Sequence, residues 1–276
     1  MAVVAAAVLL LTGCSQQVQR GWMPGDSAGP GVTDETARIT SLWVGSWIAA
    51  LAVGVLTWGL IIWCMAAYRR RKDDVGLPPQ IRYNVPLEVL YTVVPVFMVA
   101  VLFYFTARDQ TVIEEETGAE DLVHINVVGK QWSWDFNYVD EDVYSAGTQV
   151  PLDGTNAPEE LIPTLYLPVD QRVEILLTSR DVIHSFWVVD FLYKKDVVPG
   201  RENMIELTPQ EEGVYVGKCA ELCGEFHSEM LFNVEVVSAE RFDEEMDKLR
   251  DAGQTGQLES DLGRSDGGPG EGGGDQ

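Results

Sequence analysis

Val214-Tyr-Val-Gly-Lys-Cys-Ala-Glu-Leu-Cys-Gly-Glu-Phe-His-Ser-Glu-Met-Leu-Phe-Asn-Val-Glu-Val-Val237 reads as strand, donor-rich loop, strand. Val214–Lys218 and Met230–Val237 carry the β-branched and aromatic residues of short strands. Cys219, Cys223, His227 and Met230 place two thiols, an imidazole and a thioether within twelve residues. Soft sulfur donors combined with imidazole favour copper over magnesium or calcium. A mononuclear blue-copper centre needs one cysteine, two histidines and a weak axial methionine, so this set holds one thiolate too many. Two thiolates can instead bridge two copper ions, with one histidine on each, and His184 supplies a second imidazole upstream. Other readings of the same residues stay open here. Cys219 and Cys223 could close a structural disulfide in an oxidising compartment. They could hold zinc with His227. His184, beside Phe186 and Trp187, could be a core histidine.

Outward from this stretch the strand pattern continues. Val123–Val128, Trp132–Tyr138, Leu165–Leu167, Val173–Leu177, Ser185–Val189 and Met204–Leu207 bring the count to eight short runs, divided by Gly and Pro clusters. That density predicts an all-β sandwich or barrel. No helical run separates successive strands, which argues against a parallel α/β sheet. Gly217 and Gly224 flank the cysteines and permit close backbone approach. Trp132, Trp134, Phe136 and Tyr138 alternate toward one face, and Pro, Gly and Asn in 145–163 predict a long surface connection. After Val237, Ala239–Asp251 reads as one charged helix. Gly253 to Gln276 holds nine glycines and little apolar surface, which predicts disorder.

The first hundred residues differ in kind. Ile39 to Tyr68 contains no charge, and a helix of that length would span about 45 Å. Val89 to Ala107 is also uncharged and would span about 28 Å. Two transmembrane helices are expected. Residues 69–82 between them carry five basic and two acidic side chains, which assigns that loop to the cytoplasm and both termini to the other side. Met1 to Leu11 is an apolar run too short to span, followed by Thr-Gly-Cys14, as in a signal peptide with a lipidated cysteine. No Lys or Arg precedes that run. Cys64 falls in the first span as a small apolar residue.

Residues 109–276 carry 37 acidic and 11 basic side chains, a net of −26 against −24 for the whole chain. Nucleic acid is excluded as a partner, because its phosphates require Lys and Arg. The field suits attraction of a basic protein.

Five segments in this order resemble subunit II of the cytochrome c oxidases. They are Glu88–Pro95, Gly129-Lys-Gln-Trp-Ser-Trp-Asp-Phe-Asn-Tyr138, Asp181-Val-Ile-His-Ser-Phe-Trp187, Lys195–Arg201 and the Cys-x-x-x-Cys-x-x-x-His-x-x-Met loop. The resemblance implies a signal peptide (1–13), an exported segment (14–38), helices at 39–68 and 86–107 joined by a cytoplasmic loop (69–85), and a Greek-key cupredoxin sandwich (120–238). Residues 239–276 would be the charged helix and the disordered acidic tail. It implies a binuclear copper A centre in which Cys219 and Cys223 bridge and His184 and His227 are terminal. Met230 would be the axial thioether and Glu221 would offer its carbonyl. The Glu221 carboxylate would also hold magnesium at the subunit interface. Trp132 would take up the electron, and Glu88 would lie at the mouth of a proton channel. Cys14 resembles a lipidation site. Implied partners are oxidase subunit I, which carries the haem, other oxidase subunits, and a c-type cytochrome, soluble or tethered in a cytochrome bc complex. The setting would be a bacterial plasma membrane. Asp135, Asp140, Glu141 and Asp142 follow Trp132 closely and are expected to steer the cytochrome toward it. Alternatives are a copper A subunit of another respiratory reductase such as nitric oxide reductase, a copper-binding lipoprotein without electron transfer, and a quinol oxidase subunit II. The intact donor set argues against the last, and Glu221 and Glu88 favour the oxidase.

Overall fold

The computed structural model describes residues 31–72, 76–77, 80–119, 121–150 and 161–258. Cys14, the signal-peptide segment, most of 14–38 and the tail from 259 onward lie outside them. Two compact units emerge, a helical one from Arg38 to Ile113 and a β-rich one holding Glu114 onward together with the residues before Arg38.

In the helical unit, α1 (Thr36–Ala67) and α2 (Val85–Ile113) follow the two uncharged runs. Both are apolar on all sides, with Leu56, Trp58, Ile62, Val93 and Phe97 among many exposed side chains. Both are long and apolar enough to cross a membrane. Helix α2 continues past its uncharged run to Ile113, and the extra turn carries Asp109. That carboxylate is buried between Arg108 Nη2 at 2.7 Å and Arg38 Nη1 of α1 at 3.6 Å. The α2 N-terminus is capped reciprocally. Asn84 Oδ1 accepts from Leu87 N, and Glu88 Oε1 accepts from Asn84 N at 2.9 Å. Such a cap contributes about 1 kcal/mol, so Glu88 has a local structural job.

The β unit contains all eight expected strands and two more. They are β1 (Val123–Lys130), β2 (Ser133–Tyr138), β3 (Val143–Ala146), β4 (Thr164–Pro168), β5 (Val173–Ser179), β6 (His184–Val188), β7 (Tyr193–Val197), β8 (Asn203–Leu207), β9 (Gly213–Cys219) and β10 (Leu231–Val237). The two unforeseen strands, β3 and β7, are sheet edges. An edge strand buries little and tolerates charge, which is why Tyr-Lys-Lys-Asp-Val lacks a strand-like pattern.

Two five-stranded sheets form, in the orders β3-β2-β1-β5-β8 and β4-β10-β9-β6-β7. Pairing is antiparallel except β1 with β5 and β10 with β4, which join strands distant in sequence. This is the sandwich of cupredoxin type that the resemblance implies. Trp134, Phe136, Leu165, Ile175, Phe186 and Phe232 fill the core. Phe186 stacks on Phe232 at 4.8 Å, and Trp134 meets both edge-on. Gly217 lets β9 lie on this cluster, since a Cβ there would stand 2.2 Å from the Phe232 ring.

Helix α3 (Ala239–Asp251) starts at the Ser238 cap, whose hydroxyl accepts from Arg241 N, and inserts Phe242 and Met246 into the core. The expectation of disorder from Gly253 is corrected for residues 253–258 alone. Residues 254–258 run along β3: Thr255 bridges Val143, Gly256 N donates to Asp142 O, and the buried Asn137 side chain grips both N–H and C=O of Leu258. Backbone hydrogen bonding to an open strand edge orders a segment whose composition buries little. The surface connection expected from 145 also starts later, because Ser145 and Ala146 belong to β3 and Val150 is buried. Residues 151–160 lie outside the described range.

Candidate metal centre

Register carries the donors to one end of the sandwich. Phe186 of β6 pairs with Cys219 of β9, so stepping back to His184 matches stepping forward into the cysteine loop. Ala220 N donates to Ser185 O and Cys219 N donates to Met230 O, which sets Met230 opposite Cys219. A short 3-10 turn, His227–Glu229, then raises His227 toward Cys223.

Distances follow from this weave. Cys219 Sγ lies 3.8 Å from Cys223 Sγ and 3.8 Å from His184 Nδ1. Cys223 Sγ lies 3.5 Å from His227 Nδ1 and 3.8 Å from Met230 Sδ. The Glu221 carbonyl oxygen is 3.2 Å from Cys219 Sγ, while the Glu221 side chain is exposed. His184, Cys219, Cys223 and Met230 are buried and His227 is half-buried. The sulfurs stand well beyond the roughly 2.05 Å of a disulfide, so the structural-disulfide reading fails. Two thiols, each within 4 Å of an imidazole Nδ1, with a thioether beside Cys223, form a set of soft donors suited to a metal, and His184, Cys219 and Cys223 bring their ligand atoms within 4.8 Å of one another.

Asp181 supports this set from behind, a role for which the only sequence signal is its place three residues before His184. Its Oδ1 lies 2.8 Å from His184 Nε2, and it accepts from Gln131 N at 2.6 Å and Val182 N at 2.7 Å. A carboxylate on the far nitrogen fixes ring orientation and raises the basicity of the near one. Gln131 Nε2 donates to Cys223 O at 2.7 Å, tying the cysteine loop to the β1–β2 turn. Burial raises the Asp181 carboxyl pKa, but His184 and the two N–H donors outweigh it and hold it below the usual range. Burial also opposes charge on His184, yet Asp181 and Cys219 hold that imidazole above its ordinary value. Burial opposes ionisation of Cys219 too, and His184 with nearby backbone groups more than compensates, lowering the pKa. Cys223 is pushed up to about 12 by burial and by the adjacent Cys219 sulfur.

Trp132 stands just before β2, half-buried, and packs edge-on against Phe226 of the ligand loop at 4.9 Å. Gly224, at φ +128°, makes room for it, as a Cβ there would lie 3.1 Å from the indole. Trp134, Phe136 and Tyr138 are fully buried core.

The acidic cluster does not adjoin Trp132. Asp140, Glu141 and Asp142 follow the far end of β2, and six strand residues separate them from Trp132 by about 20 Å. There Asp140 pairs with His124 and Glu141 with Arg250. Asp135 is no surface charge either, being buried between Lys130 and Arg180. Strand geometry overrides closeness in sequence.

The family model described as "Cytochrome C oxidase subunit II, periplasmic domain" matches residues 123–237. A probable cytochrome c oxidase subunit 2 of Streptomyces avermitilis is 49% identical over 258 residues, covering 82% of this chain and 79% of that protein. This chain belongs to the cytochrome c oxidase subunit II family. The cytochrome c oxidase subunit 2 of Mycobacterium tuberculosis is 33% identical over 291 residues, covering 87% of this chain and 78% of its own length. Among solved structures, the periplasmic domain of subunit II of the cytochrome oxidase of Bradyrhizobium japonicum is 26% identical, with a TM-score of 0.43, covering 49% of this chain and 97% of that one. Within the cytochrome c oxidase subunit II family, residues 123–237 are thus the periplasmic-domain segment, and the candidate centre lies wholly inside it.

Proposed function

We propose that this subunit II takes electrons from a c-type cytochrome at a binuclear copper A centre and passes them to haem in subunit I, where dioxygen is reduced to water with proton pumping. Two thiols 3.8 Å apart, each with an imidazole Nδ1 within 4 Å and with a thioether beside Cys223, carry this reading. Cys219, Cys223, His184, His227, Met230 and the Glu221 carbonyl would hold the copper, the two thiolates being shared between the ions and each imidazole serving one of them. With two copper ions bound, such a site accepts and releases one electron. The chain contributes rigidity. Asp181 fixes the His184 ring, Gln131 fixes the cysteine loop, and burial excludes water from both thiols. Trp132, packed on the ligand loop, is the uptake point. The Glu221 carboxylate is assigned to magnesium at the subunit interface, and Glu88, beyond its capping role, to the mouth of a proton channel. Helices α1 and α2 cross a bacterial plasma membrane with both termini outside, and Cys14 is the lipidated residue.

Copper bound to the full-length chain in detergent, read by elemental analysis and electron paramagnetic resonance, tests the proposal. About two ions per chain sharing one unpaired electron are expected, together with loss of that signal in Cys219→Ser and Cys223→Ser. One isolated copper per chain, or a native spectrum in either variant, would overturn the assignment. Trp132→Gln should slow electron uptake from bound cytochrome while leaving the copper spectrum intact, and an unchanged rate would reduce Trp132 to a packing residue.

A further inference from the structure

The Asp135 carboxylate is fully buried and accepts from Lys130 Nζ at 2.6 Å and Gly147 N at 2.9 Å, with Arg180 Nη1 2.9 Å from its other oxygen. Asp135 is fully buried while the Lys130 and Arg180 side chains stay 25% and 13% exposed; burying such a carboxylate with its partners is costly, and replacing the set by apolar side chains is often neutral or stabilising. Packing therefore does not account for it. Its connections do. Lys130 precedes Gln131, whose side chain holds the Cys223 carbonyl, and Arg180 precedes Asp181, whose carboxylate holds His184. Arg180 N donates to Gly129 O at 3.0 Å, and Gln131 N donates to Asp181 at 2.6 Å, so the two segments are stitched on both sides of the charged group.

We propose that Asp135 is a positioning residue for the metal centre: by clamping Lys130 and Arg180 together it fixes residues 129–131 against 179–181, and through Gln131 and Asp181 it sets Cys223 and His184. This rests on the assignment of those residues as copper ligands. Without the Asp135 charge, Lys130 and Arg180 lose the carboxylate that neutralises both, and their mutual repulsion is no longer offset. The two segments then part, and the hydrogen bonds behind both ligands lengthen. Outer partners of metal ligands typically govern affinity by about 10–100-fold.

The test uses the full-length chain in detergent, titrated with copper, for the wild type, Asp135→Asn, Asp181→Asn and the double variant. Asp135→Asn should keep cooperative unfolding but bind copper about 10–100-fold more weakly, with an altered copper hyperfine pattern. The double variant should bind copper more tightly than the product of the two single losses predicts, because Asp135 acts partly through Asp181. Unchanged affinity and hyperfine pattern in Asp135→Asn would overturn the inference, and so would losses that multiply in the double variant. Should Asp135→Asn fail to fold, Arg180→Gln with Asp181→Asn supplies the same cycle, with the same outcomes supporting or overturning the inference. Wild-type chain that binds fewer than two coppers would instead indict the ligand assignment.

Discussion

Gly129 lies in β1 opposite Trp134 and Ser179, and its missing side chain leaves the space that the His184 ring occupies. An alanine methyl would stand 2.9 Å from His184 Cδ2, 3.3 Å from its Cγ and 3.4 Å from Trp134 Cζ3. Comfortable carbon–carbon separation is about 3.5–4.0 Å, so the ring must retreat by roughly 0.5 Å or more. It has little room, being fully buried with Asp181 at 2.8 Å on Nε2 and the Cys219 sulfur 3.8 Å from Nδ1. Overpacking of this kind costs about 1–3 kcal/mol. Loss of glycine's freedom in the unfolded chain returns about 0.4–1 kcal/mol. Gly129→Ala should therefore destabilise the β unit by about 1–2 kcal/mol and weaken copper binding by about 10-fold or more. Chemical denaturation and copper titration of the full-length chain provide the readings. Gly45→Ala serves as control, since a Cβ there meets nothing within 4 Å. Equal stability and copper affinity in Gly129→Ala and wild type would refute the placement of His184 against this strand.

Glu206 is held below the usual carboxylate range, burial opposing its charge while the Thr117 hydroxyl and Arg172 favour it more strongly. Its contribution is complete above the unfolded carboxylate value of about 4.3 and is lost as pH falls through the lower folded value. Glu206→Gln should accordingly lower stability at neutral pH and flatten the acid limb below about pH 4, as read by denaturation across pH. Asn137→Ala should release residues 254–258, seen as fast amide hydrogen exchange there, with about 1–3 kcal/mol lost where Leu258 backbone groups lose their partner. Neutralising Asp140, Glu141 and Asp142 together should leave reduction by a basic c-type cytochrome unchanged at physiological salt, because about 20 Å exceeds the screening length of about 8 Å. A slower reduction would place the docking surface at the far end of β2.

Period and composition determine much of this protein on their own. Uncharged runs of sufficient length specify α1 and α2 whatever surrounds them, because the length that crosses a bilayer is a property of the helix itself. Alternating apolar residues specify the eight strands that bury a face. The donor loop is legible for the same reason of locality, with Cys219, Cys223, His227 and Met230 lying within one turn-rich segment whose donor types suit a soft metal. Strands β3 and β7 escaped because each buries a single residue and so carries little pattern. The ordering of 254–258 escaped because it depends on a strand edge more than a hundred residues away. Only the tertiary structure decided what stands behind the candidate donors. Asp181, Gln131 and the buried Asp135 are ordinary polar residues in sequence, and they acquire roles through the parallel pairing of β1 with β5, which joins segments some fifty residues apart. It also parted Asp140–Asp142 from Trp132, since an extended strand carries neighbours in sequence to opposite ends of a sandwich. Local pattern reports burial and donor chemistry, while strand register alone determines which distant side chains meet.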